Sequence, residues 1–163
     1  MMVAVDHPTR FRDTVACLCA FTESAVHVTF PACRARAVVA PIDRPAGSSL
    51  RWPRRLACTA CTYNRDQRLV IGGRRDHVDE TSFGAPLWLH RPCRGHTLWA
   101  LNAEHLEFLE RYIAADLRER GSMPGTLGMA ESLPAWLKHA GHRQDVLRGI
   151  HHLRSLLPAT DLP

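Results

Sequence analysis

No stretch of the 163-residue chain approaches the ~20 consecutive apolar residues that cross a bilayer, which argues against a membrane-spanning helix. The opening residues Met1 to Arg12 mix Asp6, His7, Arg10 and Arg12 with few apolar positions, unlike a secretory signal. A soluble, cytoplasmic protein with no membrane partner is the expectation. Lysine is almost missing: Lys138 is the only one, against twenty arginines, in a chain rich in Ala, Leu and Pro. Such a bias can reflect coding composition, so arginine content alone is a weak sign of phosphate binding. Also missing are HExxH, HxE…PCxxC, a phosphate-cradling loop and a nucleophile with its base and orienting acid. Metal- or thiol-dependent catalysis therefore has the least support among the function classes.

The charge that is present is uneven. Residues 1–101 carry fourteen Arg against eight acids, whereas residues 102–163 carry seven basic and eight acidic residues, giving +6 and −1 within a total of +5. Six cysteines (Cys17, Cys19, Cys33, Cys58, Cys61, Cys93) without a signal peptide favour metal ligation or reduced thiols over a disulfide framework. Ten histidines enlarge the pool of candidate ligands.

The longest helical signal lies after residue 102. Asn102 has N-cap chemistry, Glu104 and Glu107 suit the positive helix end, and Leu106, Leu109, Ile113 and Leu117 recur on one face. Arg118 and Arg120 suit a last turn that Gly121 closes. Before it, Leu87–Leu89 and Leu98–Leu101 read as two strands of a hairpin whose turn holds Arg94-Gly95. Short strands are expected at Thr14–Ala20, Val26–Phe30, Ala35–Ala40, Leu50–Ala57 and Arg68–Ile71, with loops at Pro41–Ser49 and Arg74–Ser82. Residues 1–12 carry no periodicity and are expected to be mobile. A linker runs from Gly121 to Met129, Pro134 starts a short helix that Gly141 closes, and a final helix covers about Arg143 to Leu156. In that helix Val146, Ile150, Leu153 and Leu157 share a face, and Gly149 costs about 1 kcal/mol relative to Ala.

The strongest chemical unit is Cys58-Thr59-Ala60-Cys61 between two strand signals. Two thiolates on one tight turn can face a tetrahedral ion, and a second such turn normally completes the site at Zn–S distances of ~2.3 Å. Upstream, Phe30-Pro31-Ala32-Cys33 has Phe where the first Cys of such a turn would stand. Three thiolates remain in register: Cys33, Cys58 and Cys61. FPAC…CTAC, FGAPLWL, CRGHTLWALNAEHLEFLERYIAADLRER and LPAWLKHAGHRQDVLRGIHHL together resemble a family of small bacterial proteins with a transcription-factor-IIB-type zinc ribbon. The resemblance covers roughly residues 26–157 and implies an architecture and a zinc site rather than an activity. Phe30, Thr62 and Arg94 depart from the family pattern, so only Cys33, Cys58, Cys61, Cys93 and His96 carry over.

For a fourth ligand, Cys17 and Cys19 share a strand face and could fold over the site. His27 is disfavoured because residues three apart on a strand point to opposite faces. Water would leave the open position that catalytic zinc requires. A zinc-bound ribbon and a metal-free ribbon packed by Phe30 both remain open. A second, weaker cluster is His90, Cys93 and His96, for which packing of Cys93 and a backbone hydrogen bond from His96 are the simpler expectation. Trp88 and Trp99 read as core, and Trp136 as the residue that docks the short helix. Lys138, Arg143 and Arg148, with nearby histidines, form a basic stretch that is either a solvated helix face or a nucleic-acid contact.

The fold class expected is α+β. An N-terminal extension (1–25) precedes a zinc-ribbon-like β region (26–101) and a helical region (102–157). Two function classes lead: a zinc-ribbon binding module that touches nucleic acid or the transcription or replication machinery, and a protein–protein adaptor with a degenerate, metal-free ribbon. A contiguous surface patch of Arg34, Arg36, Arg51, Arg54, Arg55, Arg74 and Arg75 would favour nucleic acid, and scatter would favour the adaptor.

Overall fold

Valine-rich stretches and a single strong helix pattern set the architecture, which is mixed α+β. The computed structural model describes residues 8–15, 17–42, 53–67, 83–119 and 128–161. In chain order these form β1 (Arg10–Arg12), a 3₁₀ turn (Leu18–Glu23), β2 (Val26–Thr29), β3 (Arg36–Pro41), β4 (Arg54–Cys58) and β5 (Asn64–Gln67). Then come β6 (His90–Cys93), β7 (His96–Trp99), α1 (Ala103–Ala114) and β8 (Leu117–Glu119). Last are α2 (Met129–Ser132), α3 (Ala135–Lys138), a 3₁₀ turn (Ala140–His142), α4 (Arg143–Ser155) and a terminal 3₁₀ turn (Ala159–Asp161). No helix among the described residues is long and apolar enough to cross a membrane.

β2 to β5 make a four-stranded antiparallel sheet in sequence order. Val26 and Val28 on β2 stand opposite Val39 and Ala37 on β3, and Val39 stands opposite Leu56 on β4, so one face of the sheet is apolar. β6 and β7 form the separate hairpin. Its turn is Arg94-Gly95, both with positive φ (52° and 78°), the pairing that a two-residue turn needs to match strand twist. The hairpin is therefore tighter than the hydrophobic runs suggested: its first strand starts later than Leu87–Leu89, and its second lies two residues earlier than Leu98–Leu101. Leu87 instead makes a lone antiparallel bridge to Val28, which ties the hairpin's approach to the edge of the sheet.

Asn102 caps α1 as expected, its Oδ1 accepting from the His105 backbone N–H at 3.0 Å. Its Nδ2 also donates to the carbonyls of Phe21 (2.7 Å) and Ala25 (3.2 Å), so one side chain starts the helix and fastens the N-terminal segment to it. The helix ends at Ala114, one turn short of the end expected at Arg118 to Arg120. Ala115 is extended (φ −65°, ψ 139°), and the chain turns away to pair β8 with β1 in parallel. Arg143 takes over the exposed helix end, donating to the carbonyls of Ile113 (2.8 Å), Ala114 (3.0 Å) and Ala115.

The N-terminal residues depart most from expectation. Arg10 to Arg12 form a strand rather than a mobile tail, because Phe11 is buried edge-on to Phe108 and Tyr112 at 5.3 Å each. The strand expected over Thr14–Ala20 is replaced by the 3₁₀ turn, which buries Phe21. Asp13, also buried, accepts from the backbone N–H of Ala130 (2.8 Å) in the first turn of α2, a short helix that begins at Met129, where the expected linker ends. The expected strand Arg68–Ile71 and loop Arg74–Ser82 lie outside the described residues, as do residues 43–49 of the expected loop Pro41–Ser49 and 121–127 of the expected linker Gly121–Met129. One buried cluster draws on Phe11, Val28, Leu56, Leu98, Leu106 and Ile150, so residues from all three expected segments share a core.

Candidate metal centre

Two turns project from the same end of the four-stranded sheet. The first follows β2: the Arg34 N–H donates to the Phe30 carbonyl at 2.8 Å, and the Phe30 N–H to the Ala35 carbonyl at 2.9 Å. Arg34 has φ 58°, a left-handed closure that presents Cys33 at the tip. The second turn follows β4: the Cys58 N–H donates to the Tyr63 carbonyl at 3.0 Å, which folds residues 59–62 into a tight loop carrying Cys61. Register brings the turns together. Ala37 pairs with Cys58 across β3 and β4, and Thr59 reaches back to the Arg36 carbonyl through its N–H (3.1 Å) and its hydroxyl (2.6 Å).

The consequence is that the sulfurs of Cys33, Cys58 and Cys61 lie within 4.8 Å of one another. Cys33 and Cys58 are 3.5 Å apart, Cys33 and Cys61 are exposed, and Cys58 is half-buried against the core. The Ala60 N–H, 3.5 Å from the Cys58 sulfur, is the main cause that brings this thiol down to about 7, assisted by Cys61 and Cys33. The Tyr63 N–H acts in the opposite sense to the net result on Cys61, whose thiol is held up by the neighbouring Cys58 and Cys33 sulfurs. Of Cys58 and Cys61, it is therefore Cys58 that loses its proton first, near neutral pH. Three such thiols are close enough to hold a metal ion.

Phe30 occupies the place that sequence spacing reserves for a first cysteine. It is buried against Tyr63, ring centroids 4.6 Å apart, and acts as a packing residue. Cys17 and Cys19, the candidates for a fourth ligand, are instead joined to each other, their Cα atoms 5.2 Å apart. His27 is buried on β2 and held through Nδ1 by the Arg36 guanidinium at 3.1 Å. Burial, with Arg36 beside it, lowers its pKa, and Asp161 opposes this.

The members of the weaker cluster have separate occupations. His90 is exposed, with Nδ1 2.6 Å from the Leu87 carbonyl, and His96 stacks flat on Trp136 at 4.8 Å. Cys93 faces the core, and burial raises its pKa. The stacking on Trp136 replaces the backbone bond expected of His96.

The basic residues are mostly committed within the fold. Lys138 donates to the Glu131 carbonyl at 2.8 Å, Arg143 caps α1, and Arg148 pairs with Asp145. Of the N-terminal arginines, Arg36 bonds Asp161 at 2.9 Å, Arg54 is buried and donates to the Thr22 carbonyl, and Arg55 pairs with Asp66 at 2.7 Å. Arg34 is exposed, and Arg51, Arg74 and Arg75 lie outside the described residues.

Two features had no sequence signal. Arg36, Asp161 and His27 join the chain's last turn to the sheet, beside a cleft of about 290 Å³ lined by Ser24, His27, Glu104 and Asp161. His105 lies wholly inside, stacked on Phe21 at 4.7 Å. No family model, no curated protein and no solved structure matches the chain.

Proposed function

We propose that the protein is a small zinc-ribbon-like binding module, with zinc held by Cys33, Cys58 and Cys61 and a protein as its partner. The convergence of three sulfurs from two turns on one end of an antiparallel sheet carries this reading. Cysteine turns at the end of an antiparallel sheet also support the resemblance to transcription-factor-IIB-type ribbons. Zinc suits the donor set because it accepts thiolates without a geometric demand from its d electrons. An ion here joins the β2–β3 turn to the β4–β5 turn, at exposed tips that lie beyond the apolar face the sheet packs on the core.

A protein partner is favoured over nucleic acid by the occupation of the basic groups. Arg36, Arg54, Arg55, Lys138, Arg143 and Arg148 each have an acidic or carbonyl partner within the chain. Contacts to phosphate would have to compete with these bonds, and the described arginines do not form one uncommitted patch. Tyr63, exposed beside the cysteines, is the kind of aromatic that anchors protein interfaces. Fluorescence anisotropy with labelled single- and double-stranded DNA and RNA, measured across salt, separates the two. The protein-partner reading expects no specific binding at physiological salt. Tight binding that weakens steeply as salt rises would overturn it in favour of nucleic acid.

A further inference from the structure

Two of the three sulfurs are in contact. Cys33 Sγ lies 3.5 Å from Cys58 Sγ, across the gap between the β2–β3 turn and the β4–β5 turn. A disulfide holds its sulfurs about 2.05 Å apart, so bonding asks for roughly 1.5 Å of closure between side chains on neighbouring turns. The backbone already fixes that approach, since Thr59 reaches the Arg36 carbonyl through its N–H (3.1 Å) and its hydroxyl (2.6 Å). Cys33 has no second sulfur on its own turn, because Phe30 stands at the position that Cys58 holds relative to Cys61. The Cys33 side chain is exposed, whereas Cys58 is half-buried.

We propose that a hydroperoxide oxidises Cys33 and Cys58 to one disulfide and thereby releases the ion; the release step rests on the metal reading above. Peroxide meets the exposed Cys33. The Cys33 thiolate attacks the terminal oxygen of the hydroperoxide: an S–O bond forms, the O–O bond breaks, and the departing alkoxide takes a proton from solvent. Cys58, 3.5 Å away, then attacks the Cys33 sulfenic acid. The S–S bond forms, the S–O bond breaks, and the departing hydroxide takes a second proton. In sum, two thiolates, one hydroperoxide and two protons become one disulfide, one alcohol and one water. The sulfurs are oxidised and the peroxide oxygens reduced, by two electrons. Thiolate is the form that binds metal, so the loss of two of the three sets the ion free and leaves Cys61 as an exposed thiol. The new bond ties the same two turns that the ion joined.

The test uses the full chain, reduced, loaded with zinc and freed of excess metal and reductant, then treated with hydrogen peroxide beside a peroxide-free control. Released zinc is followed with a chromophoric chelator. Disulfides are mapped by tandem mass spectrometry after the remaining thiols are alkylated. The expected result is one Cys33–Cys58 bond for each zinc released, with Cys61 alkylated and both changes reversed by dithiothreitol and added zinc. Cys33→Ser and Cys58→Ser are expected to lose the cross-link, and metal-free Cys61→Ser to keep it. Zinc released with Cys58 bonded to Cys61, or with the sulfurs taken only to sulfinic acid, overturns the Cys33–Cys58 assignment and leaves the metal reading intact. Zinc retained in full, with all three thiols unoxidised, overturns the proposal outright. Reduced protein that takes up no zinc overturns the metal reading and the release step with it, while its disulfide map still decides whether Cys33 and Cys58 pair.

Discussion

Cys58 shows how far a single residue could be read in advance. A Cys-x-x-Cys spacing announces a turn that aims two sulfurs one way, and Cys33 followed from its position three residues after Phe30. That the three sulfurs meet depends on the Ala37–Cys58 register, a long-range property that no local pattern encodes. His105 illustrates the opposite case. It sits in the expected helix, but nothing in its neighbours announces that burial holds its pKa at about 3. Its Nδ1 accepts from the Leu101 N–H at 3.3 Å, and its Nε2 has no hydrogen-bond partner among the described residues. Below the ordinary histidine value of 6.5 the unfolded chain takes up a proton that the folded chain refuses. Folding stability is therefore full above pH 6.5 and falls as pH drops towards 3, with a slope of about 1.4 kcal/mol per pH unit from this group. His27, also lowered, adds in the same direction, whereas the lowered carboxylates Asp66 and Asp116 act at more acid pH. Denaturant unfolding between pH 6.5 and 5 is expected to show a loss of about 2 kcal/mol or somewhat more. His105→Leu should remove most of that slope, whatever it does to the baseline. An unchanged slope would refute the assignment to His105.

Among the elements, α1 and α4 were legible because each presents a long stripe of apolar residues at helical spacing, and Asn102 was legible from its chemistry. The end of α1 was not. Arg118 looked like a final-turn cation, yet the carbonyls are capped by Arg143, thirty residues from Ile113, and β8 peels away to meet β1. The interior glycine of α4 has a packing reason. A Cβ at Gly149 would come within 2.6 Å of Leu98 Cδ2, so the missing side chain lets β7 lie close against the helix. Gly149→Ala gains about 1 kcal/mol in helix propensity but forces the fully buried Leu98 side chain to shift in a close-packed site, a strain of about 1–3 kcal/mol. The balance should be a net loss of stability in thermal or denaturant melts. Pairing it with Leu98→Ala, which removes the clashing methyls, should lessen the harm done by Gly149→Ala. A stabilised single mutant would show that α4 and β7 are not packed as closely as described.

Across the whole molecule, the α+β class was readable from patterning alone, as was the order of strands before helices except for β8, which follows α1. The way the N-terminal residues join the core was not. A three-residue strand with one Phe carries too little periodicity to be seen, and a parallel pairing with a strand more than a hundred residues later leaves no local trace. Phe11 is nonetheless almost wholly buried between Phe108 and Tyr112. Phe11→Ala is expected to cost about 3–5 kcal/mol, as for a core aromatic rather than a tail residue. A loss below about 0.5 kcal/mol, the level of ordinary surface changes, would show that β1 is not part of the cooperative unit.

The central claim is that Cys33, Cys58 and Cys61 hold one ion between two turns of the sheet. Elemental analysis of reduced protein, purified without chelators and never stripped, tests it most directly. About one zinc per chain is expected in the wild type, falling to trace in Cys61→Ser as the three-sulfur donor set is broken. Wild-type protein free of stoichiometric metal, or a Cys61→Ser variant that keeps its full complement, would contradict it.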